Sequence, residues 1–362
     1  MVRRGRGHRA QNVTLAPAEP RAAAAPQPVQ DGDPSPTPEV SRARPPPEDV
    51  VSTRRVARSG GPGSRSLLPP LSRRSFLAAG AALVAGLPGC GRSAAVTSSG
   101  GLRVGAIPDQ DPEVLQRLHG TVADALATAL DLEVRYTPVT DYAAAVSLFR
   151  TGDLDLVWFG GLTGVQARLQ TPGAEPVAQR DIDAAFTSVF VVNASTGLAP
   201  SADLTALAPL RFTYGSETST SGRLMPAWFL REAGVDPQGF PGGPGFSGSH
   251  DATLALVASG SYQAGVLNSQ VWRARSEEGA VDPAVVRYAE SPPYADYHWL
   301  LGPQTAGRTG VPDLRDRLVD LFTGLPAGSP VLDLFGAGGF VPVRPSDHDR
   351  IEEIGRELGL VS

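Results

Sequence analysis

The sequence has no lysine and only one cysteine among its 362 residues, so all 32 basic residues are arginine. A single cysteine excludes an intrachain disulfide and any zinc cluster built from several cysteines, which leaves Cys90 to be explained in another way. No His-x-x-x-His pair occurs among the five histidines. The sequence therefore gives no reason to expect a metal site or a cofactor.

Positive charge is scarce in the larger part of the chain. Residues 1–89 carry 13 arginines and 6 acidic residues, for a net charge of +7. Residues 90–362 carry 19 arginines and 31 acidic residues, for a net charge of −12. Because an acidic body repels the phosphates of DNA and RNA, nucleic acid is excluded as a partner.

The first 66 residues are rich in proline, alanine and arginine and lack apolar periodicity. Such a segment cannot bury enough surface to offset its chain entropy, so residues 1–66 are predicted to be a disordered N-terminal extension. Two explanations stay open. Either translation starts nearer Leu67, which the targeting signal that follows favours, or the segment is a cytoplasmic tail of the precursor.

Residues 67–89 have the order of parts found in a signal peptide. Arg73 and Arg74 lie in the motif S-R-R-S-F-L, which matches the twin-arginine export pattern. The apolar stretch from Phe76 to Leu87 would span about 18 Å as a helix, less than the ~30 Å of a hydrocarbon core. It is therefore predicted to be the apolar part of the signal and not a membrane span.

The signal ends in Leu87-Pro88-Gly89-Cys90, which resembles the lipobox of bacterial lipoproteins, although Pro88 is unusual there. In that family the cysteine is lipidated and becomes the mature N-terminus. Residues 90–101 are rich in serine, glycine and alanine and are predicted to form a flexible tether. This resemblance implies an extracytoplasmic protein attached to the membrane by its lipid alone; the alternative is a buried free thiol.

From Leu102 onward, short apolar strands alternate with amphipathic helices, which predicts an α/β fold. The pattern leaves a first lobe near residue 186 and returns to it near residue 291. We therefore expect two lobes joined by two crossover strands, with a cleft that closes by a hinge. The predicted parts are lobe 1 (102–185), lobe 2 (186–290) and a return to lobe 1 with C-terminal helices (291–362). Helices are predicted at 111–130, 142–150, 222–233, 251–258, 272–278, 313–324 and 346–358.

A loop rich in hydroxyl groups, Gly215 to Gly222, lies between a predicted strand and a predicted helix. Free N–H groups and the helix dipole favour an anion at such a position. Ser219, Thr220 and Ser221 can each donate a hydrogen bond, and Gly222 leaves room for close approach. The alternative is an ordinary N-cap, which serine and threonine often provide.

Several segments together resemble the phosphate/phosphite/phosphonate-type substrate-binding proteins of ABC importers, and most closely the group named for selenate binding. Coverage runs from about Leu102 to Ala327. The matched segments are Pro108-Asp109, Thr140-Asp141-Tyr142, Asp155 to Gly161, Ser219 to Pro226, Ser249 to Ala252 and Pro292-Pro293-Tyr294. The resemblance implies a type 2 periplasmic-binding-protein fold, a small oxyanion ligand, ABC permease and ATPase partners, and a monomer.

The same resemblance implies which residues contact the ligand. The serine–threonine–serine loop that grips the anion falls at Ser219, Thr220 and Ser221. A tyrosine after the second strand matches Tyr142, and a histidine before a helix matches His250.

Three further positions bear on which oxyanion is bound. Phe159 stands where the family often has tyrosine, and Gln270 where it has a glutamate for an aminoalkyl group, which argues against an amino-phosphonate. Asp296 matches an acidic residue of the last loop. A carboxylate beside the ligand would favour phosphorus oxyanions that carry a proton over sulfate or selenate. The alternative is a solvated loop aspartate, which would leave selenate open.

Two other functions compete with an importer binding protein. A hydrolase using Ser247 and His250 is disfavoured because Ser249 stands where a nucleophile elbow needs its second glycine. A ligand-sensing protein for a signalling partner would have the same pocket. Three of the other histidines, His8, His119 and His348, are expected to be solvated.

Overall fold

The computed structural model describes residues 100–362. The predicted extension, the signal peptide and Cys90 lie outside the described residues, as does the tether up to residue 99. In the part of the chain that is described, no helix combines the length and the apolar character needed to cross a membrane.

The first part of the described chain alternates strands with helices, as the sequence predicts. Both predicted helices begin at an aspartate: Asp111 Oδ1 accepts from Glu113 N at 2.8 Å, and Asp141 Oδ1 accepts from Ala144 N at 2.8 Å. These carboxylates satisfy N–H groups that have no partner within the helix. The elements are β1 (Leu102–Ala106), α1 (Pro112–Leu130), β2 (Val134–Tyr136), α2 (Tyr142–Arg150), β3 (Leu156–Phe159), α3 (Gly161–Gln170), β4 (Glu175–Pro176) and β5 (Ala178–Arg180).

In the middle part of the chain, the helix predicted at 272–278 begins three residues earlier, at Ser269, and one helix start has a different geometry. The predicted helix 222–233 is a π-helical turn, Thr220–Leu224, followed by a regular helix. The wide turn is closed by a bond from Leu224 N to Ser219 O at 2.9 Å, and such turns often occur at functional sites. The elements are β6 (Ser188–Asn193), β7 (Phe212–Tyr214), α4 (Met225–Glu232), β8 (Gly245–Phe246), α5 (His250–Ala258), β9 (Ala264–Asn268), α6 (Ser269–Glu277) and β10 (Val285–Glu290).

The last part returns with one strand and then mainly helices. A short 3₁₀ turn at 345–348 places His348 directly before the C-terminal helix. The elements are β11 (His298–Leu301), α7 (Thr305–Thr309), α8 (Leu314–Thr323), α9 (Pro330–Phe335), β12 (Phe340–Pro342) and α10 (Asp349–Glu357).

The strands form two five-stranded sheets, each with its own buried apolar core. The first has the order β2-β1-β3-β11-β4, with β1 parallel to β2 and β3 and with β11 antiparallel to its neighbours. The second has the order β10-β6-β9-β7-β8 and is also mixed. All strands of the second sheet fall within 186–290, the range that the sequence assigns to lobe 2. We call the two halves lobe 1 and lobe 2.

Two segments connect the lobes and run side by side. Phe186 and Tyr294 exchange both backbone hydrogen bonds, at 2.8 and 2.9 Å. A further hydrogen bond, from Asp296 N to Asp183 O at 3.0 Å, joins the same two segments. Paired crossover segments of this kind let the lobes move about one hinge.

The sequence analysis missed α3, whose first turn contains Gly161 and Gly164. Glycine disfavours helices, so the segment lacks a helical signal. The structure explains Gly164: a Cβ there would overlap Cε1 of His298, so only glycine fits beneath that ring. Because packing against His298 of β11 requires glycine at position 164, the sequence of α3 does not show a helical pattern. This helix begins at the edge of the site.

Candidate anion-binding site

Several helix N-termini converge between the lobes. Leu162 N, in the first turn of α3, donates to Thr220 Oγ1 of the π-helical turn at 2.9 Å. A Cβ at Gly222 would lie 3.3 Å from Cε1 of His250, the first residue of α5. Tyr142, at the start of α2, lies beside Ser219. Because each helix N-terminus carries partial positive charge, this is a favourable place for an anion.

The three hydroxyl residues of the loop have different partners. Ser219 Oγ accepts from Gly222 N at 2.9 Å, so this residue is an N-cap, as the alternative interpretation held. Thr220 Oγ1 accepts from Leu162 N and joins the two lobes. Ser221 Oγ is buried and has no hydrogen-bond partner among the described residues. The caps leave the O–H groups of Ser219 and Thr220 able to donate.

Asp296 is fully buried and belongs to this group; it is not a solvated loop residue. Its Oδ1 accepts from Gly161 N at 2.9 Å, which caps α3 from a distant part of the chain. Its Oδ2 has no hydrogen-bond partner within residues 100–362. Burial raises the pKa of Asp296 to about 7, and the Gly161 N–H limits the rise. The carboxyl group can therefore accept or donate a hydrogen bond near neutral pH.

Two tyrosines border the same space. The Tyr142 hydroxyl is buried without a partner in the described structure, and burial together with the charge of Asp109 raises its pKa well above the usual value. Tyr294 donates to Ser188 Oγ at 2.6 Å, since the Ser188 proton is directed to the Ser221 carbonyl at 2.8 Å. The Tyr142 hydroxyl, which lies beside Ser219, is thus able to donate to a ligand, and Tyr294 holds the backbone of the hydroxyl loop.

His250 is linked to lobe 1 through a chain of hydrogen bonds. Asn268 N donates to its Nδ1 at 3.4 Å, which places the proton on Nε2, 3.4 Å from the hydroxyl of Tyr297. Tyr297 in turn donates to Asp109 Oδ2 at 2.8 Å. Burial lowers the pKa of His250 to about 4, so the ring is neutral at pH 7.

Two residues expected at the site lie elsewhere. The Phe159 ring is fully buried against Phe149, with ring centroids 5.6 Å apart, because strand alternation turns it into the lobe 1 core. The amide of Gln270 contacts Arg180 and the carbonyl of Phe335. Gln270 lines a separate cavity of 510 Å³ together with Arg180, Asp109 and Tyr297. Phe159 and Gln270 therefore do not lie with the hydroxyl group in this structure, and a contact of either with the ligand stays a prediction.

Sequence reasoning also missed a buried ion pair beside that cavity. Arg180 Nε and Nη2 lie 2.7 and 2.6 Å from the two oxygens of Asp183. The guanidinium lies 5.4 Å from the Trp158 ring centroid and 5.1 Å from that of Tyr297. In the sequence this pair looks like two surface charges three residues apart, so no local signal reveals it.

The geometry does not support the hydrolase alternative. Ser247 Oγ bonds to the carbonyl of Ser249 at 2.9 Å and to Thr253 Oγ1 at 2.7 Å, and these two partners occupy it without His250. No cluster of metal-ligating side chains occurs among the residues that the structure covers. The site is therefore a set of neutral donors, one ionisable acceptor and several helix N-termini.

Comparison with known proteins identifies the class to which this arrangement belongs. Residues 104–348 match the family described as "ABC transporter, phosphonate, periplasmic substrate-binding protein". The chain is 46% identical over 268 residues to a protein of Prochlorococcus marinus (strain MIT 9301) named "Probable ABC transporter phosphite binding protein PhnD1"; the match covers 72% of this chain and 90% of that protein. The chain thus belongs to the phosphonate-type substrate-binding proteins of ABC importers.

Solved structures agree with this assignment. The structure of the Prochlorococcus protein in complex with methylphosphonate has a TM-score of 0.70 and 46% identity, and the match covers 72% of this chain and 98% of that one. A binding component of an ABC phosphonate transporter from Pseudomonas aeruginosa has a TM-score of 0.60 at 19% identity, covering 70% of this chain and 84% of that one, and supports the fold alone. The predicted periplasmic-binding-protein fold is confirmed, and the relatives are transport proteins, not enzymes. The particular likeness to the selenate group stays a prediction.

Proposed function

We propose that this extracytoplasmic protein binds a small phosphorus oxyanion that carries a proton, with phosphite and methylphosphonate as the first candidates. The observation that carries the proposal is a group of three buried polar atoms without hydrogen-bond partners among the described residues: Tyr142 Oη, Ser221 Oγ and Asp296 Oδ2. Buried polar groups are rarely left unpaired in folded proteins, and these three lie around one hydroxyl loop, so they are the groups that a polar ligand bound there would pair.

The chemistry of the three atoms selects the ligand. Tyr142 and Ser221 can donate to anionic oxygens, as can the hydroxyls of Ser219 and Thr220. Asp296 can accept the proton of a P–O–H group, which phosphite and phosphonates carry near neutral pH. Selenate and sulfate have no such proton, and an ionised Asp296 would repel them.

The relative whose structure contains methylphosphonate supports the same ligand class. The lobe contact from Leu162 N to Thr220 Oγ1 is consistent with closure around a ligand at this place. Closure would bury the anion among fixed dipoles, which replace its hydration shell.

The remaining parts of the proposal concern export and assembly. We infer that Arg73 and Arg74 direct export, that Cys90 is lipidated, and that the protein acts as a monomer with a permease and an ATPase. Mass spectrometry of protein isolated from membranes tests the anchor: a diacylglyceryl group on Cys90 is expected, and an unmodified Cys90 within an intact N-terminus would overturn it.

Isothermal titration with phosphite, methylphosphonate, phosphate, sulfate and selenate tests the ligand. We expect the tightest binding for phosphite or methylphosphonate and a matching rise in thermal stability, about 2.7 kcal/mol at 100 times the dissociation constant. Tighter binding of selenate than of every phosphorus oxyanion would refute the ligand class, and no binding of any would refute the function.

A further inference from the structure

Two buried histidines contact the backbone carbonyl of Asp296. His348 Nε2 lies 2.7 Å from the carbonyl oxygen of Asp296, and His298 Nδ1 lies 3.4 Å from the same oxygen. The two rings pack together with centroids 4.1 Å apart. His348 is only 3% exposed and His119 is fully buried, so the expectation that these two histidines are solvated is wrong.

The shared acceptor fixes which nitrogen of each ring carries a proton. A carbonyl oxygen only accepts hydrogen bonds, so the nitrogen that faces it must donate. His348 is thus protonated on Nε2 and His298 on Nδ1. Burial keeps the pKa of both rings below the usual value, and the charge of one ring would oppose a charge on the other, so both are neutral donors. The carbonyl of Asp296 is held by one short and one long hydrogen bond.

His348 also lies against the residue that binds the Asp296 side chain. A Cβ at Gly161 would lie 3.3 Å from Cδ2 of His348. The N–H of Gly161 donates to Asp296 Oδ1 at 2.9 Å. One imidazole therefore contacts both partners of the bond that orients the carboxyl group towards the ligand site.

The ring is held in place by the helix that follows it. On lobe 1, Arg168 of α3 forms an ion pair with Glu352 of α10 at 2.9 Å. On lobe 2, Arg231 of α4 forms an ion pair with Glu357 of α10 at 2.7 Å. Because α10 begins directly after His348 and is paired with both lobes, it connects His348 to the two bodies on either side of the proposed site.

We propose that His348, supported by His298, is a positioning residue that fixes the Asp296 carboxyl group for ligand binding without touching the ligand. This inference rests on the proposed function, in which Asp296 Oδ2 accepts the proton of the oxyanion. It assigns a role in binding to His348, the last residue that the family match covers.

A pair of substitutions at one position tests the role. In His348→Gln, the amide N–H₂ can replace the imidazole Nε2 donor, whereas His348→Leu removes the donor from a site of similar size. We expect His348→Leu to weaken phosphite or methylphosphonate binding about tenfold and His348→Gln to stay within about threefold of the native protein. Leu126→Ala, a core change in α1, serves as a control that lowers stability but leaves affinity unchanged.

A readout without ligand keeps the test independent of the proposed function. Hydrogen exchange of the Gly161 amide should accelerate in His348→Leu but not in His348→Gln or Leu126→Ala, because only the first frees Asp296 to move. Native exchange and affinity in His348→Leu, or equal losses in both His348 variants, would overturn the inference. If the native protein binds no oxyanion while the Gly161 amide responds as expected, the proposed function fails and the positioning of Asp296 stands.

Discussion

The residues Tyr142, Ser219 to Ser221 and Asp296, which we call the pocket, are all buried, whereas the cavity beside them measures 510 Å³ and its lining includes several charged groups. In the cavity, Arg180 is paired with Asp183, and Asp109 accepts from Tyr297. In the pocket, three buried polar atoms have no partner in the described structure.

The difference shows why the larger space is the poorer candidate. A small anion in a wide cavity would keep much of its water and would gain little from groups that are already paired. In the pocket, the same anion would complete hydrogen bonds that burial has left open. His119, which lines the cavity, also has two buried nitrogens without a partner in the described structure, but the hydroxyl group combines its open partners with several helix N-termini. That combination, and not volume, favours the hydroxyl group as the site.

The largest expected effect comes from removing two donors of the pocket. Ser219→Ala combined with Ser221→Ala should weaken oxyanion binding by at least ~100-fold, since each hydrogen bond to a charged group contributes about 1.5–3 kcal/mol. Titration calorimetry measures the loss, and circular dichroism checks that the fold persists. Ser276→Ala, a helix serine whose hydroxyl bonds to Trp272 O, is the matched control. A double variant that binds as tightly as the native protein would move the site out of the pocket.

An intermediate effect is expected at Asp296. Asp296→Asn keeps an oxygen for the Gly161 N–H but replaces the acceptor Oδ2 with a donor. Affinity for phosphite and methylphosphonate should fall about tenfold, and affinity for selenate should rise. Parallel titrations measure the affinities for both classes of ligand. Equal changes in affinity for phosphite and for selenate would show that the carboxyl group does not distinguish oxyanions that carry a proton from those that do not.

The pH dependence of Asp296 follows from its raised pKa. In the folded protein the carboxyl group keeps its proton up to about pH 7, whereas its ordinary value is 3.8. The contribution of Asp296 to the free energy of unfolding is therefore complete below its ordinary pKa of 3.8. This contribution is lost as the pH rises through the raised pKa of about 7. In the native protein, selenate binding should strengthen as the pH falls through that raised pKa, because the protonated carboxyl can donate. The Asp296→Asn variant should lack both trends, which denaturant titrations and calorimetry across the same pH range would measure.

Some of the site could be predicted from the sequence because its signal is local. Ser219, Thr220 and Ser221 stand between a strand and a helix, so backbone geometry alone places their hydroxyls at a helix start. Tyr142 and His250 also begin helices in the structure. The two-lobed fold was predictable for the same reason, since strand and helix periods are visible within short windows.

The rest depends on contacts between distant parts of the chain. Asp296 looks like a loop carboxylate until the structure places it on the N-terminus of α3, 135 residues away in sequence. Arg180 and His348 look like surface residues for the same reason. Likewise, the position of Phe159 in its motif does not state which face of β3 the ring occupies, so its packing against Phe149 could not be predicted.

The smallest expected effect on oxyanion binding comes from the wide cavity. Gln270→Glu places a carboxylate beside Arg180 without touching the pocket, so affinity for phosphite should change by less than about threefold. If the cavity can receive an organic substituent, the same change should raise affinity for 2-aminoethylphosphonate, since the new carboxylate would attract its ammonium group. Gln270→Met, of similar length but uncharged, is the control and should give no gain. Competition between the two ligands in one titration measures both effects. A large loss of phosphite affinity in Gln270→Glu, absent in Gln270→Met, would show that the electrostatics of the cavity extend to the pocket and that the two spaces act as one site.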